Sequence, residues 1–496
     1  MGQKNRARNL FLPRLQDILF VAILVASFLL GPRMLSIDSD LGRHLAIGQH
    51  ILNARTIPTE NVFSHTLTGA ERPPYEWLTQ VVFALAYRAA GLDGIVLAVT
   101  LIIAVTFTFL YVQASRWSGL PLTSLFLTIL AVSASSLHWL PRPHVITFLF
   151  LAILLERLEA VQSGKFVPIW QFPVLMLFWV NFHGGFIFGF LVWFAYLAGW
   201  VWDKWIKKSK PDRAIWQQLW RGFMLAVIAS VLTPDGLGSW RAVLNNRSRY
   251  ILSQTVETMP PGITQVGTWP FFILVILSVV FLFNARKQVK ASHVFLLGGL
   301  AGMGLLMARN IPLFAIATTP VLSLWAKESL RTRNKWIALE DRISGLQKPL
   351  QGYFWPALLG LALILTIVGR QVVREDALFH FDERVFPVQA ADWLEKHPQS
   401  GRMFNEFNWG GYLLYRLWPD QRVFLDSQTD FYGETLMREY EQVMTAAADW
   451  ETVLAFYDVS WVILPQNARL SKVLQEFAPW EMIYKDETAI IMRKSP

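Results

Sequence analysis

A chain of 496 residues that is 53% hydrophobic and 16% charged is too apolar for an ordinary soluble domain, in which about a quarter of residues are charged. The absence of cysteine excludes disulfides and thiolate metal sites. The net charge of +9 does not mark a nucleic-acid binder, because Lys and Arg fall in short loops between apolar runs, as positive-inside topology requires.

Lys4, Arg6 and Arg8 precede an apolar run over 15–30. Gly31-Pro32-Arg33 follows in place of a small-residue cleavage site, so the run reads as a retained first span, 15–34. Apolar runs of the roughly 17–25 residues that cross a hydrocarbon core predict further spans at 94–114, 119–138, 145–161, 166–182, 185–202, 214–232, 269–284, 292–308, 310–326 and 353–370. Segment 77–92 is short for a span and carries Arg88. Treated as an interfacial helix, it leaves Arg116, the cluster Lys204, Lys207, Lys208, Lys210 and Arg213, then Arg286, Lys287 and Lys290, and the basic stretch 327–348 all inside. Counted as a span, it turns every one of them outward, against the Lys/Arg rule.

The expectation is therefore a polytopic α-helical membrane protein with about 11 spans over 1–370. External loops are expected at 35–93, with two interfacial helices, and at 233–268. No period of roughly 20–50 residues is present, which argues against a repeat architecture. Further on the composition becomes mixed, and β-type runs (RVFLD, WVILP, AIIMR) alternate with helical ones (VQAADWLEKH, GETLMREYEQVM). That alternation predicts a small external α/β domain over 371–496.

This topology gathers polar residues toward one membrane surface. IDSDLGRHL supplies Asp38, Asp40 and His44, RPPYEWL supplies Glu76, and HWLPRPH supplies Arg142 and His144. NFHGG adds Asn181 and His183, and ARNIP adds Arg309 and Asn310. Each has an ordinary use. The aspartates suit a helix N-terminus, Glu76 suits the dipole of the helix that follows it, the arginines can snorkel to headgroups, and Gly184-Gly185 beside His183 suits a tight turn. As a set they suggest chemistry, since ionisable groups near membrane depth are costly and mark cavities or pathways. Carboxylates act as general bases or hold a divalent cation. Arginine and histidine bind a phosphate and stabilise it as it leaves. An outer-leaflet site beneath a soluble lid suits a lipid-phosphate donor.

One span, a long external loop with an acidic motif and two helices, a many-span bundle and a C-terminal external domain together resemble the GT-C glycosyltransferases. Relatives in that superfamily include protein O-mannosyltransferases, the aminoarabinose transferase of lipid A and the oligosaccharyltransferase catalytic subunit. More narrowly, DSDLGRHLAIGQHIL, PTENVFSHTLTG, EWLTQ, RPH, NFHGGF and ARNIPLFAIA, with NWGGYLLYRLWP and VFLDSQTDFYG, resemble a group of bacterial polytopic proteins near that superfamily. The resemblance implies that an acidic residue just after the first span, Asp38 or Asp40, acts at the catalytic centre. RPPYEWL resembles the lysine-proline-proline-leucine stretch of lipid A-modifying relatives, with Arg72 in place of the lysine and Glu76 following. Where the oligosaccharyltransferase has a second acidic motif, this chain has RPH, which leaves metal use open.

The resemblance implies a membrane glycosyltransferase that moves a sugar, with inversion, from a polyprenyl-phosphate donor to an envelope acceptor, be it lipid, glycan or protein. It implies Asp38, Asp40 and Glu76 in catalysis, and His44, Arg142, His144, Asn181, His183, Arg309 and Asn310 in substrate binding. A divalent cation, Mg or Mn, would fall to Asp38 and Asp40. The expected location is the bacterial plasma membrane, with the N-terminus cytoplasmic and the C-terminal domain periplasmic or extracellular. Segments 408–412 and 426–430 read as surface loops in the acceptor path, or as plain turns. The rival readings are a flippase or transporter, disfavoured by spans that are apolar through their centres, and a non-catalytic scaffold of envelope glycan assembly. No P-loop and no HExxH motif occurs.

Overall fold

The computed structural model describes residues 11–37, 39–208, 212–245, 248–253, 255–285, 289–373, 377–476 and 479–495. Asp38 lies outside the described residues, as do Lys4, Arg6, Arg8, Lys210, Arg286 and Lys287. The chain forms two compact units. The first comprises Met1–Leu29, Leu97–Thr233 and Thr255–Glu375; the second comprises Leu30–Val96, Pro234–Gln254 and Asp376–Pro496.

The first unit is a helical bundle. At its centre helix Ile311–Ser329 has every residue buried from Ile311 to Ser323, because it is apolar on all faces and so has no side to offer to water. Helices Pro121–Ser135, His144–Gln162, Trp269–Asn284 and Ala291–Leu306 pack around it. Helix Phe186–Trp205 approaches helix Ala291–Leu306 so closely that a Cβ on Gly199 would sit 2.4 Å from the Ser292 nitrogen. The orphan N–H groups at the start of helix Pro121–Ser135 find a partner far away in sequence. The buried Glu340 carboxylate accepts from the Leu122 and Thr123 backbones at 2.7 and 2.8 Å, a cap supplied from another helix.

Among the described residues, four helices are long and apolar enough to cross a membrane: Trp77–Ser118, Pro121–His138, Phe186–Trp205 and Val266–Asn284. Leu15–Leu29, Gln171–Phe182, Ala291–Leu306 and Phe354–Arg370 are apolar but shorter. Several helices are shorter than the apolar runs that predicted them because those runs extend into the turns; run 166–182, for instance, becomes helical only at Gln171. Helix Trp77–Ser118 is interrupted at Ala90 and Gly91, the latter at φ +60° and ψ −151°, a conformation open to glycine but not to residues with a Cβ. The interruption divides segment 77–92 from the predicted span 94–114.

The second unit contains a four-stranded sheet of order β1-β2-β4-β3, made of β1 Arg402–Asn405, β2 Val459–Pro465, β3 Trp480–Lys485 and β4 Ala489–Lys494. The β1/β2 pair is parallel and the others antiparallel. The crossover from β1 to β2 carries helices Gly410–Leu417, Thr429–Met444 and Trp450–Phe456, as a parallel pair requires a long connection. WVILP and AIIMR lie in β2 and β4. RVFLD, predicted as a strand, joins no ladder. Its backbone is used instead by loop 63–65, with Val423 donating to the Phe63 carbonyl at 3.2 Å and accepting from the His65 amide at 3.0 Å. The buried Asn405 side chain completes the pairing through the Phe424 amide and the Leu425 carbonyl.

Segment 408–412, read as a surface loop or turn, is instead a short 3-10 turn leading into helix Gly410–Leu417, which is buried from Gly410 to Leu414. It packs on helix Asp40–Ala54 through two glycines. A Cβ on Gly42 would lie 2.4 Å from the Gly411 carbonyl oxygen, and one on Gly411 would lie 2.2 Å from that of Ser39. These glycines serve helix packing rather than a loop.

Candidate functional site

The acidic motif after the first span opens helix Asp40–Ala54, with Asp40 in its first turn and Arg43 and His44 one turn on. Arg43 Nη2 lies 3.4 Å from Asp40 Oδ1 and 3.4 Å from His44 Nε2, and its Nη1 donates to Gln428 Oε1 at 3.1 Å. The same Gln428 oxygen accepts from Arg72 Nη2 at 2.6 Å. Asp426 lies beneath both guanidinium groups, 3.5 Å from Arg72 Nη2 and 4.0 Å from Arg43 Nε. The Gln428 amide and the Tyr432 hydroxyl also donate to it, at 2.8 and 3.1 Å.

Arg72 is further held by Asn61 Oδ1 at 3.2 Å and by the Phe431 ring 5.0 Å away. Arg43 and Arg72 are only 6% and 5% exposed, and Asp426 is wholly buried. Burial opposes the Arg43 charge, yet Asp40, Asp426 and Glu76 together overcome it and hold its pKa above the usual arginine value. Buried guanidinium groups persist only with such partners.

A cleft lies over this network. Arg43, Arg72, Tyr75, Glu76, Gln80 and Gln428 form its polar wall, and Ile47, Ile51, Phe63 and prolines 58, 73 and 74 form its apolar one. Glu76 Oε2 stands 4.0 Å from His44 Nδ1, and Gln80 Nε2 stands 3.4 Å from the same nitrogen. Asp40 Oδ1 also accepts from the Ser427 hydroxyl.

Asp40 thus meets the Arg43 guanidinium and the Ser427 hydroxyl. Among the described residues no cluster of three His, Asp or Glu side chains is placed to hold a metal ion; Asp38, the other carboxylate expected to hold a divalent cation with Asp40, lies outside them.

The remaining predicted residues belong to the first unit. Arg142 pairs with Glu257 through Nη1 at 3.1 and 3.2 Å. His144 donates from Nε2 to the His138 carbonyl at 2.6 Å. His183 accepts at Nδ1 from the Gly185 amide at 3.1 Å, which places its ring hydrogen on Nε2. Thr147 donates to the same nitrogen at 2.8 Å while accepting from Trp179 Nε1 at 2.8 Å. Gly185 is required there, because a Cβ would lie 2.5 Å from His183 Nδ1 and 2.7 Å from Thr147 Oγ1.

Asn181 donates to the Leu177 and Leu232 carbonyls at 2.8 and 3.0 Å, and Asn310 donates to that of Met303 at 3.1 Å. Both asparagines thus close helix ends. Arg309 is exposed on its short turn.

The structure thus brings Asp40, His44 and Glu76 together in the second unit, and Arg142, His144, Asn181, His183, Arg309 and Asn310 occur in the first. Sequence reasoning passed over Arg43 and took 426–430 for a surface loop or turn. Asp426 and Gln428 are buried instead. Arg43 stood between two selected residues in DLGRHL, but nothing in its spacing pointed to partners some 380 positions away.

Neither family models nor curated proteins give a match to this sequence. Solved structures do. The archaeal oligosaccharyltransferase AglB from Archaeoglobus fulgidus, in complex with an inhibitory peptide and a dolichol-phosphate, superposes with a TM-score of 0.60 at 12% identity, over 90% of this chain and 69% of its own. ArnT from Cupriavidus metallidurans bound to undecaprenyl phosphate gives a TM-score of 0.49 at 13% identity, over 96% of this chain and 97% of its own. At 12% identity the likeness to AglB is one of fold.

Proposed function

We propose that this chain is a membrane glycosyltransferase that moves a sugar from a polyprenyl-phosphate carrier to an acceptor of the bacterial cell envelope, at the outer face of the membrane. The observation that carries this reading is the GT-C-like fold shared with AglB over nine-tenths of the chain. In the proposed reaction an acceptor heteroatom attacks the anomeric carbon, and a new glycosidic bond forms with inversion. The bond from that carbon to the phosphate oxygen breaks, and polyprenyl phosphate leaves with the electron pair. The acceptor proton passes to a carboxylate acting as general base.

Asp38 or Asp40 is the proposed base or acceptor-orienting group, with Glu76 in support and His44 beside it. Arg142, His144 and Arg309 are proposed contacts for a donor phosphate, a role that suits charge-assisted donors. His183, Asn181 and Asn310 are the proposed pocket lining in that unit. Asp40 reaches the base role by exchanging Arg43 and Ser427 for substrate.

The test uses purified protein in nanodiscs, wild type beside an Asp38→Asn/Asp40→Asn double variant, with a panel of radiolabelled polyprenyl-phosphate sugars. Release of polyprenyl phosphate from one donor, lost in a folded double variant, supports the reading. Turnover unchanged in the variant keeps the enzyme and removes the carboxylates from its centre. No turnover of any donor overturns the transferase reading, and movement of the donor across a sealed bilayer would then identify a flippase.

A further inference from the structure

The proposed reaction leaves unused a buried side chain of the second unit that reaches three others across the sequence. One Gln428 carboxamide joins three other lining residues of the cleft. Its oxygen accepts from Arg43 at 3.1 Å and from Arg72 at 2.6 Å, and its nitrogen reaches the Tyr75 hydroxyl at 3.4 Å. The partners are distant in sequence from Gln428, by 385, 356 and 353 positions. Gln428 is itself only 8% exposed. Its backbone N–H donates to Asp426 Oδ1, which fixes the turn that carries the side chain.

Two guanidinium groups at one neutral oxygen is an arrangement that like charges resist. Asp426, 3.5 and 4.0 Å from them, lowers that repulsion. Arg43 Nε is buried 4.0 Å from Asp426 Oδ1, with no hydrogen-bond partner among the described residues.

We propose that Gln428 is a positioning residue, the lock that holds the Arg43 and Arg72 guanidinium groups in register along the cleft so that they meet a hydroxyl-rich or anionic substrate together. This rests on the transferase reading, since it assigns the cleft to that enzyme's substrate. Gln428 acts through the arginines and touches no reacting atom. The segment 426–428 is thus a buried clamp and not a surface loop.

The experiment pairs a labelling readout with a kinetic one, on the full-length protein in nanodiscs. Gln428→Leu keeps the volume and removes both hydrogen-bonding ends, and Gln428→Glu keeps an acceptor. Arginine modification by phenylglyoxal, read peptide by peptide, should rise about tenfold at Arg43 and Arg72 in Gln428→Leu, and return near wild type in Gln428→Glu. Arg309 serves as the exposed control and should not change.

With a turned-over donor, KM should rise about tenfold or more while kcat stays within about twofold, the signature of lost uniform binding. Unchanged labelling, or a fall in active fraction at constant KM in both variants, overturns the lock and makes Gln428 merely structural. The labelling shift in a protein that turns over no donor keeps the lock and overturns the transferase reading instead.

Discussion

The two polar clusters are built on different principles. In the first unit most of the selected side chains bond backbone groups, Arg142 excepted, which pairs with Glu257. Asn181 and Asn310 close carbonyls at helix ends, His144 reaches six residues back to the His138 carbonyl, and His183 folds onto Gly185. In the second unit Arg43, Arg72, Asp426 and Gln428 satisfy one another across more than 350 positions of chain. A local arrangement can lose one member and leave its neighbours water or backbone to bind. A buried side-chain network cannot, because each group removed strands a charge in a low-dielectric site. Histidine, arginine and asparagine at helix ends in a sequence therefore mark helix termination and chemistry alike, and only the mode of satisfaction separates the two.

The sharpest way to break this contrast is Asp426→Ala. It leaves two guanidinium groups buried without their shared carboxylate, and breaking such an arrangement costs about 3–5 kcal/mol. A large fall in the denaturation midpoint of the detergent-solubilised protein is expected, and a fall no greater than that of a surface substitution would show the network to be slack.

The next effect is a pH dependence belonging to the second unit alone. Glu406 caps the 407–409 turn by accepting from the Trp409 amide and the Asn408 side chain, both at 3.1 Å. Burial outweighs those bonds and pushes its carboxyl up to about 7 from 4.5. The folded state then holds a proton that the unfolded state has released. This contribution is fully present below pH 4.5 and is lost as pH rises through about 7, amounting to about 3 kcal/mol across that window. Denaturation midpoints of wild type and Glu406→Gln between pH 5 and 8 should diverge, wild type falling relative to the variant. Parallel curves would remove Glu406 as the source.

Smaller again is Thr147→Val in the first unit, which takes an acceptor from Trp179 and a donor from His183. About 1–3 kcal/mol is expected from the donor left unsatisfied, seen as a modest midpoint shift. A loss as large as that of Asp426→Ala would mean that the first-unit residues also form a network. The smallest effect is Arg309→Ala, an exposed site where stability should move within about 0.5 kcal/mol. Donor turnover should fall all the same if its proposed phosphate contact is right, and a variant with wild-type KM would remove it from the site.

Much of the helical architecture was legible because apolar run length and turn residues are local properties, and the break at Ala90–Gly91 falls where the short segment 77–92 was set apart from the next span. Strands β2 and β4 were legible for the same reason, as runs of β-branched and apolar residues. RVFLD misled because a buried apolar run looks the same whether it pairs in a sheet or lies along a loop, and here loop 63–65 and Asn405 took its hydrogen bonds. In the second unit's cluster, Asp40, His44 and Glu76 were found from their motifs. Arg43, Asp426 and Gln428 were not, since each is ordinary in its own window.

The sequence by itself determined that the chain is rich in helices apolar enough to cross a membrane, where its apolar runs lie, and which turns collect histidine, arginine and carboxylate, because composition, hydropathy and periodicity act over a few residues. Only the tertiary structure decided that Gly42 and Gly411 pack two helices together, that Glu340 caps a helix far from it in sequence, and that Asp426 and Gln428 are buried beneath Arg43 and Arg72. Those features depend on which distant segments meet, and the energy that fixes them arises only once water has been excluded between them.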